Sequence, residues 1–174
     1  MTVAQVLVAG LGSSHGDDQA GWITVDHLQT LLSSRTALQP HVAARRLSTP
    51  FDLLTLFPDY QHILIVDAVQ ATASERSQVA LRTPLPAPWT AQTLAEHFTH
   101  SRRPRLDTHG PGLSEVLQLA TLQSQASRPQ VTVFGIPASD FAAFTVPSPA
   151  VLERARTTAL QILSELKILC QVQF

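Results

Sequence analysis

Residues 5–18 constrain the fold more than any other part of this sequence, because an apolar run is followed by glycines and then by two adjacent carboxylates. Residues 6–9 are apolar without alternating polar positions, which is typical of a strand buried on both faces of a parallel sheet. Apolar side chains then recur at mostly helical spacing over residues 19–32. The sequence therefore predicts a strand, a loop and a helix, with Asp17 and Asp18 at the helix N-terminus, where the helix dipole favours negative charge.

Strands and helical segments alternate along the rest of the chain. Four further strands are predicted, at residues 41–47, 63–66, 78–81 and 131–134. Helical segments are predicted at residues 51–57 and 89–100 and in two stretches that begin near residues 113 and 149. This alternation predicts an α/β fold, a three-layer α/β/α sandwich around a mostly parallel sheet.

Closely spaced prolines interrupt this pattern. Pro84, Pro86 and Pro88 lack the N–H groups that strands and helices use, so we expect neither regular sheet nor helix there. Residues 101–107, which are rich in arginine and proline, are predicted to form an exposed loop. That loop leads to His109, which precedes the next predicted helix.

The composition narrows the class of protein. With 174 residues, of which 44% are hydrophobic, residues 1–174 fit a single domain. The net charge of −1 provides no basic face for nucleic acid or anionic lipid, so we expect a protein or small-molecule partner and no membrane association. The single cysteine, Cys170, cannot form an internal disulfide, and the N-terminal sequence does not resemble a secretion signal. We therefore expect a cytoplasmic protein.

Three side chains are candidates for a metal site. Asp18 follows the first predicted strand, Asp67 ends the third, and His109 lies in a loop before a helix. Because ligands gather outside the carboxyl ends of parallel strands, all three could meet at one sheet edge. Two carboxylates and an imidazole suit a divalent transition metal. Structural roles are the alternative, since each aspartate could cap a helix or turn and His109 could stabilise its loop.

Short motifs in the same regions resemble those of one protein family. The motifs are Gly10-Leu11-Gly12-Ser13 with Asp17-Asp18, the strand end Val66-Asp67-Ala68, His109 before Leu113-Ser114-Glu115-Val116-Leu117, and the late segments Val133-Phe134-Gly135-Ile136-Pro137 and Ser148-Pro149-Ala150-Val151. In residue type and order they resemble the motifs of the peptidases that mature the large subunit of nickel-iron hydrogenases. The resemblance extends over nearly the whole chain.

The resemblance implies a function and a site. Members of the family remove a C-terminal extension from the hydrogenase large-subunit precursor after nickel insertion, so nickel is expected to arrive with the substrate, and no organic cofactor is expected. Asp18, Asp67 and His109 correspond to the family residues that contact nickel, with Asp18 and Asp67 as the candidate catalytic residues of an aspartyl-type endopeptidase. The motifs leave the chemical step of cleavage open.

The resemblance also implies an architecture and an assembly state. The family has a twisted, mixed five-stranded sheet flanked by helices, of the phosphorylase/hydrolase-like kind. We accordingly expect a monomeric protein that activates its hydrogenase by processing the precursor.

The sequence departs from the family pattern in the loop after the first strand. Ser13 stands where the family usually has Asn, and His15 is an unusual occupant of this loop. The loop up to Asp18 is also one residue shorter than in the family. These departures leave open a divergent paralogue that acts on another target.

Three further residues are candidates for substrate binding. Ser48 and Thr49 follow the second predicted strand, in a segment that lacks the family's Gly-Gly-Thr pattern. Arg105 lies shortly before His109, where its guanidinium could receive an acidic side chain or a C-terminal carboxylate.

Two other classes of α/β protein share part of this pattern. A receiver-like signalling domain also has acidic residues after its first and third strands, but it requires a lysine after a late strand, whereas the only lysine here is Lys167. A dinucleotide-binding module would use Gly10, Gly12 and Gly16, but their spacing is one residue too long, and the aspartates that follow would repel a pyrophosphate.

Overall fold

The computed structural model describes residues 5–70, 77–85, 112–123 and 129–170. Its strands are β1 (Val6–Leu11), β2 (Val42–Leu47), β3 (His62–Gln70), β4 (Leu81–Leu85) and β5 (Gln130–Ala138). They form one five-stranded sheet in the order β2-β1-β3-β5-β4. All neighbouring strands are parallel except β4, which pairs antiparallel with β5 at the sheet edge. The predicted mixed, mostly parallel sheet is therefore confirmed.

Helices cover both faces of this sheet. They are α1 (Ala20–Ser33), α2 (Leu113–Gln123) and α3 (Pro149–Leu169), and short 3-10 helices occupy Gly16–Gln19, Gln39–His41, Pro50–Thr55 and Phe57–Asp59. One core lies between the sheet and the pair α1 and α3, and a second lies between the sheet and α2 with the 3-10 helices at Pro50–Thr55 and Phe57–Asp59. The three-layer α/β/α prediction is confirmed.

The residues of β1 explain why its sequence is apolar throughout. Val6 and Val8 belong to the core under α1 and α3, whereas Leu7 and Ala9 belong to the core under α2. All six residues of the strand are buried, because helices cover both faces. The same alternation continues in β3, where Ile63 and Ile65 face the α2 side.

The fourth strand differs from the prediction. The strand predicted at residues 78–81 occupies Leu81–Leu85, so the expectation that Pro84 lies outside regular sheet is wrong. Proline is tolerated because β4 is an edge strand, in which one side of the backbone needs no partner. Pro86, Pro88, the helix predicted at 89–100 and the loop at 101–107 lie outside the described residues.

The strand order also bears on the alternative fold assignments. Receiver-like domains have parallel strands in the order 2-1-3-4-5, whereas here β5 lies between β3 and an antiparallel β4. The sheet formed by the described residues therefore differs from that of a receiver-like domain. None of the helices in the described ranges has the length and hydropathy of a membrane span.

Candidate active site

The carboxyl ends of β1 and β3 lie where the chain connections diverge. From β1 the chain passes through α1 to β2 on one side, while β3 lies on the other. Strands whose connections diverge in this way leave a crevice at their carboxyl ends, and this crevice is the usual ligand site of an α/β sheet. We call the crevice between the ends of β1 and β3 the switch-point crevice.

Asp67 lies beside this crevice. The ladder between β1 and β3 ends at the pair Gly10 and Val66, whereas β3 continues along β5 as far as Gln70. Asp67 is thus the first residue of β3 beyond its ladder with β1, and strand alternation places it on the face covered by α2. The prediction that the strand ends on Asp67 is wrong, because pairing with β5 extends β3 by three further residues.

Asp18 lies at the same carboxyl end of the parallel strands, in the 3-10 helix Gly16–Gln19, which contacts β3. Its carboxylate Oδ2 accepts a hydrogen bond of 2.6 Å from the Ser13 hydroxyl. One turn later, Gly21 packs so closely on the strands that a Cβ there would lie 2.5 Å from the Val66 carbonyl oxygen. The close contact of α1 with β3 therefore places Asp18 and Asp67 beside the same crevice.

Asp17, the neighbour of Asp18, has a structural role. Its side chain is fully buried and accepts hydrogen bonds from the backbone N–H groups of Ser139, Asp140 and Ser148 at 2.7–3.1 Å. Burial raises the pKa of the Asp17 carboxyl, but the backbone donors together lower it by more than burial raises it. The resulting pKa lies below the ordinary value of 3.8. The expectation that Asp17 serves the N-terminus of its own helix is wrong, since its donors belong to the segment between β5 and α3.

Replacing Asp17 by Asn is expected to lower the free energy of unfolding by about 2 kcal/mol near neutral pH, because an amide nitrogen would face a backbone donor. Because the pKa of Asp17 is lower in the folded state, its ionised carboxylate stabilises the protein at pH values above the ordinary pKa. This stabilisation is lost as the pH falls through the folded-state pKa. The difference between wild type and variant should thus be constant above about pH 5 and shrink below about pH 4. Urea unfolding at several pH values measures it.

The control for this variant is Asp52→Asn, which changes an exposed carboxyl in the same way. It is expected to alter the free energy of unfolding by less than about 0.5 kcal/mol. A loss in Asp17→Asn no larger than in the control, or a difference that grows on acidification, would contradict this role for Asp17.

The segment 139–148 packs against the residues that precede Asp18. The backbone N–H of Gly16 donates to the Thr145 carbonyl at 3.1 Å, and that of Asp17 donates to the Asp140 carbonyl at 2.7 Å. Gly16 has a φ of +46°, and a Cβ there would lie 2.5 Å from the Thr145 hydroxyl. Glycine is therefore required at this position for the two loops to pack together.

The predicted substrate contacts fall into two groups. Ser48 is exposed and Thr49 is half-buried after β2, which ends at the same sheet edge as β1. The Thr49 hydroxyl accepts a 3.3 Å hydrogen bond from the Phe51 N–H, which caps the 3-10 helix Pro50–Thr55. Both residues therefore lie at the carboxyl end of the strand next to β1, whereas Arg105 lies outside the described residues.

The predicted three-residue metal site remains a prediction. His109 lies outside the described residues, and within the described ranges no three His, Cys, Asp or Glu side chains form a cluster that could hold a metal ion. The structure places two of the three predicted residues, Asp18 and Asp67, at one edge. It also shows two polar neighbours that the sequence marked only as departures, Ser13 and His15, whose proximity to Asp18 in a short loop was the available signal.

Comparison with solved structures identifies the fold. The hydrogenase maturation protease HycI from Thermococcus kodakarensis matches 94% of this chain and 93% of its own, with a TM-score of 0.66 and 19% identity. The hydrogenase 2 maturation peptidase from a Thaumarchaeota archaeon matches 93% of this chain and 97% of its own, with a TM-score of 0.60 and 27% identity. HybD from E. coli, a hydrogenase maturating endopeptidase, matches 92% of this chain and 93% of its own, with a TM-score of 0.60 and 18% identity.

The chain has the fold of the hydrogenase maturation proteases. The resemblance predicted from the short motifs is thus confirmed at the level of the fold. No protein-family model and no curated protein sequence matches the chain significantly. In this hydrogenase maturation protease fold, the switch-point crevice with Asp18 and Asp67 is the candidate active site.

Proposed function

We propose that the protein is an endopeptidase that removes the C-terminal extension of a nickel-iron hydrogenase large-subunit precursor after nickel insertion. The observation that carries this proposal is the pair Asp18 and Asp67 beside the switch-point crevice of a hydrogenase maturation protease fold. Because this fold is shared with proteins named as maturation proteases, peptide hydrolysis is the reaction class it favours.

The proposed site recognises the nickel that the precursor carries. Two carboxylates and one imidazole leave coordination positions open, and the precursor's own ligands would complete them. An ordinary peptide brings no metal to such a site and is therefore not bound there. This arrangement restricts cleavage to precursors that have already received nickel.

His109 completes the proposed ligand set by its position in the chain. It precedes α2 by four residues, and α2 packs on the sheet face to which Asp67 belongs. From α2 the chain runs to the first residue of β5, which lies at the amino ends of the parallel strands. The start of α2 is therefore expected near the carboxyl ends of these strands. This connectivity supports His109 as the third ligand.

Peptide hydrolysis requires a base and an electrophile. A water molecule attacks the scissile carbonyl carbon, its proton passes to a carboxylate, and the proton is then delivered to the departing amine nitrogen. Asp18 and Asp67 are the carboxylates available at the switch-point crevice, and the nickel of the substrate polarises the scissile carbonyl or the water. Ser48, Thr49 and Arg105 are proposed to contact the peptide on either side of the scissile bond.

The proposed partner is the hydrogenase precursor, which the protein would meet as a monomer in the cytoplasm. Intact-mass spectrometry of a nickel-loaded precursor after incubation with the protein tests the function. We expect the loss of one C-terminal peptide, with no change in a precursor that already ends at the mature C-terminus and none in casein. An unchanged precursor mass, or cleavage of casein, would contradict the proposal.

A further inference from the structure

The loop between β1 and α1 contains a chain of two hydrogen bonds that ends on Asp18. The Ser13 Oγ lies 2.6 Å from Asp18 Oδ2 and 2.8 Å from His15 Nδ1. A hydroxyl has a single proton, and an ionised carboxylate can only accept. Ser13 therefore donates to Asp18, and its oxygen accepts from an N–H at the Nδ1 position of His15.

This geometry determines the tautomer of His15. If Ser13 donates its only proton to Asp18, the neutral imidazole must carry its own proton on Nδ1 and leave Nε2 unprotonated. The order of donors is thus His15 Nδ1–H to Ser13, and Ser13 Oγ–H to Asp18. Each bond in such a chain polarises the next, which strengthens the bond to the carboxylate.

A second loop contacts the His15 ring. The ring of Phe144 meets the His15 ring edge-on, with 5.9 Å between centroids and 63° between planes. Phe144 has a φ of +61°, a backbone conformation that is uncommon for a bulky residue. Its loop is tied to the neighbouring Gly16 and Asp17 by backbone hydrogen bonds. The His15 ring therefore has one contact outside the hydrogen-bonded chain, with the exposed ring of Phe144.

We propose that Ser13 and His15 are positioning residues that hold the Asp18 carboxylate in the orientation required at the switch-point crevice. Asp18 lies in a short 3-10 helix and is only half-buried, so backbone packing alone does not define its side-chain torsions. The hydroxyl of Ser13 fixes one carboxylate oxygen, and His15 fixes the hydroxyl. The catalytic consequence rests on the proposed function, whereas the hydrogen-bonded chain does not.

The tautomer is measured first, because it requires no substrate. Nitrogen-15 NMR of the free protein at about pH 8.5, where imidazoles are neutral, is expected to show His15 protonated on Nδ1. In Ser13→Ala the acceptor is lost, and His15 is expected to shift toward the Nε2-protonated form that free imidazole side chains prefer. An Nε2-protonated His15 in the wild type, or an unchanged tautomer in Ser13→Ala, would overturn the proposal.

Kinetics with the nickel-loaded precursor test the positioning role. Ser13→Ala is expected to lower kcat by about 10-fold, which is the size of effect seen when a group that orients a metal-contacting residue is removed. Ser13→Thr retains a hydroxyl and should restore most of kcat. His15→Asn retains an N–H donor and should lose less activity than His15→Phe, which retains only the ring contact with Phe144.

The control is Ser14→Ala, an exposed neighbour in the same loop, which should leave kcat unchanged. Equal kcat values for wild type and Ser13→Ala, or no restoration by threonine, would overturn the positioning role. If the wild type fails to cleave the precursor, the proposed function fails, and the His15 tautomer decides the hydrogen-bonded chain by itself.

Discussion

Asp67→Asn is expected to reduce cleavage of the nickel-loaded precursor by about 1,000-fold or more while the protein remains folded. The substitution is nearly isosteric but removes the negative charge that would hold a cation or accept a proton. Asp67 lies inside β3, where it is paired with Gly135 of β5, so the backbone ladder does not depend on its side-chain charge. The rate of peptide release and the free energy of unfolding, measured on the same preparation, separate the two effects.

Asp59→Asn is the matched control for this experiment. Asp59 is exposed and ends the 3-10 helix that precedes β3, at the opposite edge of the sheet from Asp67. It should change neither cleavage nor stability. If Asp67→Asn instead lowers the free energy of unfolding by about 2–5 kcal/mol, as a core truncation does, the residue is structural rather than catalytic.

Gly21→Ala is expected to destabilise the protein by about 3 kcal/mol, the largest effect on stability among the substitutions considered. Alanine favours a helix over glycine by about 1 kcal/mol, so on helix propensity alone the change would stabilise α1. However, a Cβ at this position would overlap the Leu11 carbonyl oxygen and lie 2.5 Å from that of Val66. Both atoms belong to the sheet backbone and cannot move aside, so the steric conflict outweighs the propensity.

A second glycine provides the comparison for this variant. Among the described residues, a Cβ at Gly112 would meet only the flexible end of the Glu115 side chain, at 3.0 Å. Gly112→Ala should therefore leave the free energy of unfolding within about 0.5 kcal/mol of wild type in urea titrations. If Gly21→Ala is equally harmless, α1 does not pack against β1 and β3 as closely as described, and the placement of Asp18 and Asp67 beside the same crevice loses its support.

Part of the fold follows directly from the sequence because the central strands are buried on both faces. The apolar runs of β1 and β3 have no polar alternation, and glycine follows β1 where the chain turns into α1. The edge strand β4 is misplaced because it is exposed on one side, includes Pro84 and lacks such a run. The position of an edge strand depends on the strand with which it pairs, and for β4 this strand is β5, which lies far away in the sequence.

The candidate site likewise contains residues that the sequence predicts and residues whose role it does not predict. Asp18 and Asp67 are predictable as site residues because the carboxyl ends of parallel strands meet at one edge. The role of Asp17 is not, since the three backbone donors to its carboxylate lie 122, 123 and 131 residues away in the sequence. The bond from Ser13 to Asp18 is local, yet its geometry depends on how a short loop folds.

The central claim is that the protein cleaves only a precursor that carries nickel. Intact-mass spectrometry of one large-subunit precursor, prepared with and without nickel and incubated with equal amounts of the protein, tests it most directly. The account predicts that the nickel-loaded precursor loses its C-terminal peptide while the nickel-free precursor keeps its full mass. Cleavage of both forms at the same rate, or of neither form, would contradict it.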